Sequence, residues 1–290
     1  MKTLVLGVSG LIGSTIYRTL SAEYGGKIYG AARSERTVNI FLPKIAENLV
    51  FGHNLSNGDE LADLLGSINA EVIINCVGLT KHTRAGNDPV KALTMNALLP
   101  HRLENMARMM GARLIHISTD CVFSGEKGNY SETDRPDATD VYGKTKHLGE
   151  VTGKGVVTIR TSTIGHEHFT NYGLLEWFLT QQSCLGYRRA FFSGLPTIEL
   201  ARVIRDYVIE NKSLTGLYHV GGPSIDKYSL LMMIAKEYGK TIQIQPDDKI
   251  FIDRTLNSVA FGKATGYVSP DWKSMIKAMH KNRNEGKSIV

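Results

Sequence analysis

The chain opens with Thr3-Leu4-Val5-Leu6 and then Gly7-Val8-Ser9-Gly10-Leu11-Ile12-Gly13, an apolar run that passes through three evenly spaced glycines into a helical pattern ending near Glu23. A strand, a G-x-x-G-x-x-G turn and a helix in that order predict a βα unit built to meet a pyrophosphate. Gly7 permits the tight turn and Gly10 lets the backbone approach the phosphates. Gly13 lets the helix pack close to the sheet, and the phosphates sit at the helix N-terminus. Gly7, Ser9, Gly10, Leu11, Ile12 and Gly13 are therefore the first cofactor-binding residues.

The segments that follow extend the same plan. A second strand over 27–32 ends in Arg33-Ser34. An acidic residue there would accept from the adenosine 2′-hydroxyl, whereas an arginine favours a 2′-phosphate, so Arg33 and Ser34 point to NADP(H) over NAD(H). A short strand, Leu49 to Phe51, places Asn54-Leu55 under the adenine, and a helix runs from Gly58 to Ile68. The fourth strand, 71–76, is apolar on both faces, as a central parallel strand should be. It leads through Cys76-Val77-Gly78 towards the cofactor riboses. A helix over 91–110 carries Asn96 at a largely apolar position, and strands follow over 114–117 and 156–160, the latter ending in Thr161-Ser162-Thr163. Strands and helices alternating at this pitch predict right-handed βαβ units and an α/β doubly wound parallel sheet. After Gly165 the pattern loosens into helices over 174–182, 198–211 and 223–239, strands over 217–220 and 241–245, and a last helix from Trp272 to Lys281. The expected organisation is a dinucleotide-binding unit over 1–163 and about 194–221, with a small mixed α/β substrate-binding lobe over about 164–193 and 222–290.

The stretch 113–150 carries the chemistry. The strand over 114–117 runs into hydroxyls, Ser118 and Thr119, and a helix beginning near Val141 bears Tyr142 and Lys146. Residues i and i+4 share a helix face, so phenol and ammonium point the same way. An ammonium beside a phenol favours the phenolate and lowers the tyrosine's pKa from about 10 towards the working pH. A Thr119 hydroxyl at the strand end can hold the oxygen that Tyr142 protonates while a hydride reaches its carbon. Tyr-x-x-x-Lys alone says little, since with 12 tyrosines about one match is expected by chance. The preceding Thr119 and the N-terminal glycine loop turn it into a candidate site.

Composition excludes several other classes. A chain of 290 residues with 42% hydrophobic and 21% charged content can bury a full core. Cys76, Cys121 and Cys184 are widely spaced and odd in number, which gives no disulfide framework and suits a reducing cytoplasm. Met1-Lys2 leads straight into the first strand, with no signal peptide, and no apolar run reaches membrane-spanning length. The net charge of +6 comes from scattered residues without a nucleic-acid motif, and suits polyanionic nucleotide ligands. The tail His280-Lys281-Asn282-Arg283 is expected to fray. His166-Glu167-His168 lacks a third ligand nearby, so no metal is expected.

At this point the residues resemble a known family. Gly7 to Gly13, Asn75-Cys76, Asn96-Ala97, Ser118-Thr119-Asp120-Cys121-Val122-Phe123, Glu132-Thr133-Asp134 and Val141-Tyr142-Gly143-Lys144-Thr145-Lys146 through Gly149-Glu150 match extended short-chain dehydrogenases/reductases. Arg160-Thr161-Ser162, Leu195-Pro196-Thr197 with Leu200-Ala201, and Arg254 with Asn257-Ser258 carry the match across nearly the whole chain. Within that group the chain is most similar to dTDP-4-dehydrorhamnose reductases. The resemblance implies NAD(P)H-dependent reduction of the 4-keto group of a nucleotide-activated 6-deoxyhexose, a step in surface polysaccharide precursor synthesis, in proteins that are commonly homodimers. It implies that Tyr142 donates the proton, Thr119 orients the keto oxygen, and Lys146 binds the nicotinamide ribose. Ser118, Asn96, Arg160, Thr161 and Ser162 then belong to the cofactor side. Thr80, Lys81, His82 and Arg84, together with Phe123, Arg188, Arg189 and Arg254, belong to the substrate side.

Two departures stand near the sugar pocket. Cys121 occupies a position where the family usually has tyrosine, and Thr163-Ile164-Gly165 replaces a Trp-Val-Tyr. They argue against the rhamnose precursor itself and for a differently decorated sugar, such as a UDP-linked N-acetylated one. Two alternatives share the scaffold. A dehydratase would carry Thr-Asp-Glu, and here Cys121 replaces that glutamate; a 4-epimerase needs only the Thr-Tyr-Lys set and keeps its cofactor bound. A non-catalytic nucleotide-binding subunit would show degraded catalytic positions, whereas Thr119, Tyr142 and Lys146 are intact.

Overall fold

In the computed structural model, which describes residues 1–283, strands and helices alternate as far as Thr161. The first half comprises β1 (Thr3–Leu6), α1 (Leu11–Tyr24), β2 (Ile28–Ala32), α2 (Pro43–Ala46), β3 (Leu49–Phe51), α3 (Gly58–Ile68) and β4 (Val72–Asn75). The second comprises α4 (Pro89–Ala92), α5 (Leu99–Met110), β5 (Arg113–Thr119), α6 (Val141–Leu148) and β6 (Val156–Thr161). Shorter elements follow: β7 (Thr163–Ile164), α7 (Leu174–Thr180), β8 (Ser183–Tyr187), β9 (Ala190–Phe192), β10 (Leu195–Pro196), α8 (Thr197–Val203) and β11 (Gly216–His219). The last are β12 (Ile225–Asp226), α9 (Lys227–Glu237), β13 (Gln243–Asp247), β14 (Ile252–Asp253), α10 (Val259–Thr265) and α11 (Trp272–Lys281).

Seven strands form one parallel sheet in the order β11-β6-β5-β4-β1-β2-β3. Its central strands β4 and β5 are buried along their whole length, which is why 72–74 is an unbroken apolar run and Leu114, Ile115 and Ile117 fill the middle of β5. The chain winds one way from β1 to β3 and the other way from β4 onward, so a crevice opens beyond the carboxyl ends of β1 and β4. Both the glycine loop and the Ser118-Thr119 strand end lie along that edge.

Past β6 the strands pair in small sheets. β8 runs parallel to β13, β9 lies between antiparallel β12 and parallel β14, and β7 pairs with β10. Ser183–Tyr187 was not expected to be a strand: its five residues are largely exposed, and only pairing with a segment 60 residues away makes them one. These pieces share a core with the sheet. Leu175 and Phe178 of α7, Leu230 and Ile234 of α9, and Trp272 and Met275 of α11 pack in one cluster with Val5, Ile115 and Ile159.

The expected helix over 91–110 is interrupted by a π-helical stretch, Leu93–Leu98. Pro100 has no N–H for the Asn96 carbonyl and its ring would strike that carbonyl in a regular α-helix, so the preceding turn widens. The expected fraying of 280–283 is not found. Arg18 donates to Asn282 Oδ1 at 2.6 Å, and the His280 ring stacks on Tyr238 with centroids 4.2 Å apart. His166 is held by Glu176 at 2.6 Å and by the Tyr238 hydroxyl at 2.9 Å. Among the described residues, no helix is long and apolar enough to cross a membrane.

Candidate active site

The site centres on the joint between β5 and α6. Three consecutive residues at the end of β5 meet three positions of the α6 segment. Lys146 Nζ donates to the Ile117 carbonyl at 2.7 Å, and Ser118 Oγ donates to Glu150 Oε1 at 2.7 Å. The Thr119 side chain lies near enough to Tyr142 to act on its phenol. It also accepts from the Cys121 amide at 3.1 Å and donates to Asp120 Oδ1 at 3.1 Å. Asp140 caps the first turn of α6 by accepting from the Gly143 amide at 2.7 Å, which fixes where Tyr142 leaves the helix.

The electrostatics differ from the expectation that Lys146 lowers the tyrosine's pKa. Burial holds the Tyr142 phenol above its ordinary value, Cys121 and Asp120 push it the same way, and the nearby Thr119 hydroxyl opposes them only in part. Burial likewise brings Lys146 down to about 8, against Glu150 and Cys76, which favour its charge. A phenol with a raised pKa is protonated at neutral pH. It is a proton donor to an oxygen held by Thr119, rather than a standing phenolate. The thiol of Cys121 is pushed up to about 12, first by burial and then by Asp120, which makes it a poor base.

A groove of about 520 Å³ runs along the crevice of the sheet, lined by the loops after β1, β2, β3 and β4. Gly7, Ser9 and Gly10 form one wall, Arg33 lies near one end, and Asn54 and Leu55 line it beyond β3. Cys76, Val77 and Gly78 continue it past β4, and a Cβ on Gly78 would lie 3.9 Å from Lys146 Nζ. The glycines behave as the sequence requires. Gly7 has φ +83°, and a Cβ on Gly13 would sit 2.3 Å from the Gly7 carbonyl oxygen. Gly10 precedes α1 without a side-chain cap, and no acidic residue occupies the first turn, which leaves that helix end suited to an anion. Leu11 and Ile12 are half-buried, and a Cβ on Gly165 would come within 3.3 Å of Leu11 Cδ1. This cradle fits a dinucleotide.

Several residues expected to touch ligand are instead committed inside the protein. Asn96 is fully buried; its side chain accepts from the Leu79 amide at 2.7 Å and donates to the Leu79 carbonyl and Thr145 Oγ1. It positions the loop after β4. Arg160 makes two hydrogen bonds of 2.7 Å to Glu150 and a third to His219 Nε2 at 3.2 Å, so with Ser118 it belongs to a buried network behind the joint. Thr161 is buried, Ser34 Oγ accepts from the Arg36 amide, and Ser162 lies near enough to Asp120 to favour its charged form. Phe123 has 0% exposure; it stacks on Tyr130 at 4.1 Å with the Arg160 guanidinium over its ring, and so cannot line a sugar pocket. Arg188 pairs with Asp248, and Arg189 lies 5.3 Å over Phe251. Thr80, Lys81, His82 and Arg84 form an exposed loop whose His82 ring stacks against Tyr172, with centroids 6.5 Å apart. Arg254 is at the site: Nε donates to the Phe123 carbonyl at 2.8 Å and its charge acts on Asp120.

Two residues without a sequence assignment join the site. Glu150 binds Ser118, Arg160 and His147. Lys227, the first residue of α9, lies near enough to Asp120 to feel its charge. The spacing Lys146 to Glu150 repeats that of Tyr142 to Lys146 and pointed to the first. No local signal marks Lys227, which lies over 100 residues from Asp120.

Comparison with known proteins places these features in context. A reductase of Haloferax volcanii, "Probable low-salt glycan biosynthesis reductase Agl14", is 31% identical over 152 residues, 52% of this chain and 48% of that protein. The beta subunit of methionine adenosyltransferase 2 from Bos taurus is 28% identical over 149 residues, 51% of this chain and 41% of that protein. The chain thus spans about half or less of the length of these curated relatives. A dTDP-4-dehydrorhamnose reductase from Bacillus anthracis, solved in complex with NADP, superposes with a TM-score of 0.78 at 19% identity, covering 98% of this chain and 99% of that one, which establishes the shared fold. The model of the family described as "RmlD substrate binding domain" matches residues 1–283, and the chain belongs to that family.

Proposed function

We propose that the chain is an NADPH-dependent reductase of the 4-keto group of a nucleotide-activated sugar, acting in glycan precursor synthesis. The observation that carries this reading is the protonated Tyr142 phenol beside Thr119, with Lys146 buried one turn away and its Nζ next to Gly78 of the glycine-walled groove. Bound in that groove, NADPH would supply the hydride. Thr119 holds the carbonyl oxygen, Tyr142 gives it a proton as it becomes an alkoxide, and the Lys146 ammonium stabilises the phenolate left behind. Arg33, exposed at the groove, is the group that would meet a 2′-phosphate. Cys121 and Thr163-Ile164-Gly165 favour a sugar other than the rhamnose precursor, with a UDP-linked N-acetylated 6-deoxyhexose as the first candidate. The raised Cys121 thiol leaves no base for a dehydratase.

NADPH oxidation with dTDP-, UDP- and GDP-linked 4-keto sugars made in situ tests the reading. Turnover with one of them is expected, and tight NADPH binding without any turnover would overturn it in favour of a subunit role, as in the methionine adenosyltransferase relative. Arg33→Ala should raise the KM for NADPH about tenfold, the worth of one charge-assisted contact, and leave that for NADH unchanged. Equal loss with both cofactors would refute the 2′-phosphate assignment.

A further inference from the structure

The corner of the cleft beside Asp120 is lined by three cations from three separate segments. Lys81 comes from the loop after β4, Lys227 from the start of α9, and Arg254 from the end of β14. The small sheet explains why two of them converge. Asp226 and Asp253 face Phe191 from opposite sides of β9, and Lys227 and Arg254 are the residues that follow them. Lys227 then lies near enough to Asp120, Lys81 and Arg254 to feel the charge of each. Asp120 and Cys121 directly follow Thr119, and both also act on the Tyr142 phenol, so this corner adjoins the reacting oxygen. Among the described residues, no carboxylate lies within ion-pairing distance of Lys81, Lys227 or Arg254. By contrast, Arg188 on the neighbouring turn is paired with Asp248.

The cost of Lys227 is twofold. It is half-buried, and it occupies the first position of an 11-residue helix, where the helix dipole disfavours a cation. Burial accordingly pushes its amine below the ordinary lysine value, with Lys81 and Arg254 adding to the fall and Asp120 opposing it. Three positive side chains face one buried carboxylate, which leaves an excess of positive charge. Placing the methyl group of a 6-deoxy sugar there would strip water from these groups and return nothing. An anion would offset both the crowding and the dipole.

We propose that Lys227, with Lys81 and Arg254, forms a specificity subsite for an acidic group on the substrate's sugar, a carboxylate attached beside the keto carbon. The assignment rests on the reductase reading and departs from the 6-deoxyhexose named there, since it puts a carboxylate where a 6-deoxy sugar carries its methyl group. It is tested by binding alone, with two ligands that need no particular nucleotide: glucuronic acid 1-phosphate and glucose 1-phosphate, titrated calorimetrically into the whole chain. The wild type should bind the first about tenfold more tightly, as expected for one charge-assisted contact. Lys227→Met should erase that preference while leaving affinity for glucose 1-phosphate and the unfolding midpoint unchanged, and Lys227→Arg should keep it. No preference in the wild type, no saturable binding of either ligand, or an equal loss for both on Lys227→Met would overturn the proposal; in the last case the cations serve the phosphate. Absence of turnover with keto sugars would refute the reductase and leave this binding result standing.

Discussion

The joint between β5 and α6 and the turn between β8 and β9 both carry charged side chains at the cleft, and they handle charge in opposite ways. At the joint, Lys146, Glu150 and Arg160 are each under a tenth exposed and are bonded to one another's strands and helices at 2.7 Å. At the turn, Arg188 and Asp248 are each about half exposed and hold one another at the surface. In the first region a lost partner leaves a charge stranded in a dry interior; in the second, water takes the partner's place. The same residue type therefore has a different weight at each end of the cleft, and substitutions should reveal it.

The largest effect is expected at the tip of the joint. Tyr142→Phe removes the proton donor and leaves the shape, and should lower kcat by about 10²–10⁴, the range of general acid catalysis. NADPH affinity measured by fluorescence should stay near wild type. Turnover within a few-fold of wild type would remove Tyr142 from the chemistry.

Behind it, Glu150→Gln strands the Arg160 guanidinium and loosens Ser118, and should cost about 3–5 kcal/mol of unfolding free energy, as for breaking a buried pair. Burial alone would raise the Glu150 pKa, but the hydrogen bonds and charge of Arg160 outweigh it and hold the carboxyl below its ordinary 4.5. The stabilisation is therefore complete above the unfolded value and is lost as pH falls through the lower folded one. In urea titrations the wild type should weaken below about pH 4.5 more steeply than the variant. A variant as stable as wild type would mean that the network tolerates water.

Lys146 gives the joint a signature in pH. Its ammonium is charged below about 8 and neutral above. A step that needs the charge should slow as pH rises through that value, by about tenfold per pH unit beyond it. Tyr142, whose pKa is raised, stays protonated across this range and cannot supply that limb. The kcat/KM profile with NADPH decides this, and a flat profile to pH 9.5 would show that the ammonium is held in its charged form once ligands are bound.

What the sequence revealed follows the same division. The glycine loop, the Thr119 strand end and the Tyr142–Lys146 helix face are local patterns, each set within a few residues by strand or helix periodicity. Arg160 and Phe123 were assigned to ligands through the family resemblance, and the structure turns both inward because Glu150 and Tyr130 are there to receive them. Lys227 was invisible, since Asp120 lies over 100 residues away in the chain and only the register of β9 with β12 and β14 sets Lys227 beside Arg254. The direction of the Tyr142 pKa was misjudged for a related reason: i, i+4 spacing places an ammonium near a phenol, but burial is a property of the packed whole, and here it dominates.

The smallest effect should come from the exposed turn. Arg188→Ala removes an arginine that the family resemblance placed on the substrate side, and its bond to Asp248 shows that it already has a partner. An exposed pair contributes little to stability, and its loss frees Asp248 to water. The unfolding midpoint and the KM for the sugar nucleotide should both stay within error of wild type, while Lys227→Met changes substrate selection. A rise in KM on Arg188→Ala with kcat preserved would mean that ligand binding draws the arginine away from Asp248, and would extend the substrate site from the buried corner to the rim.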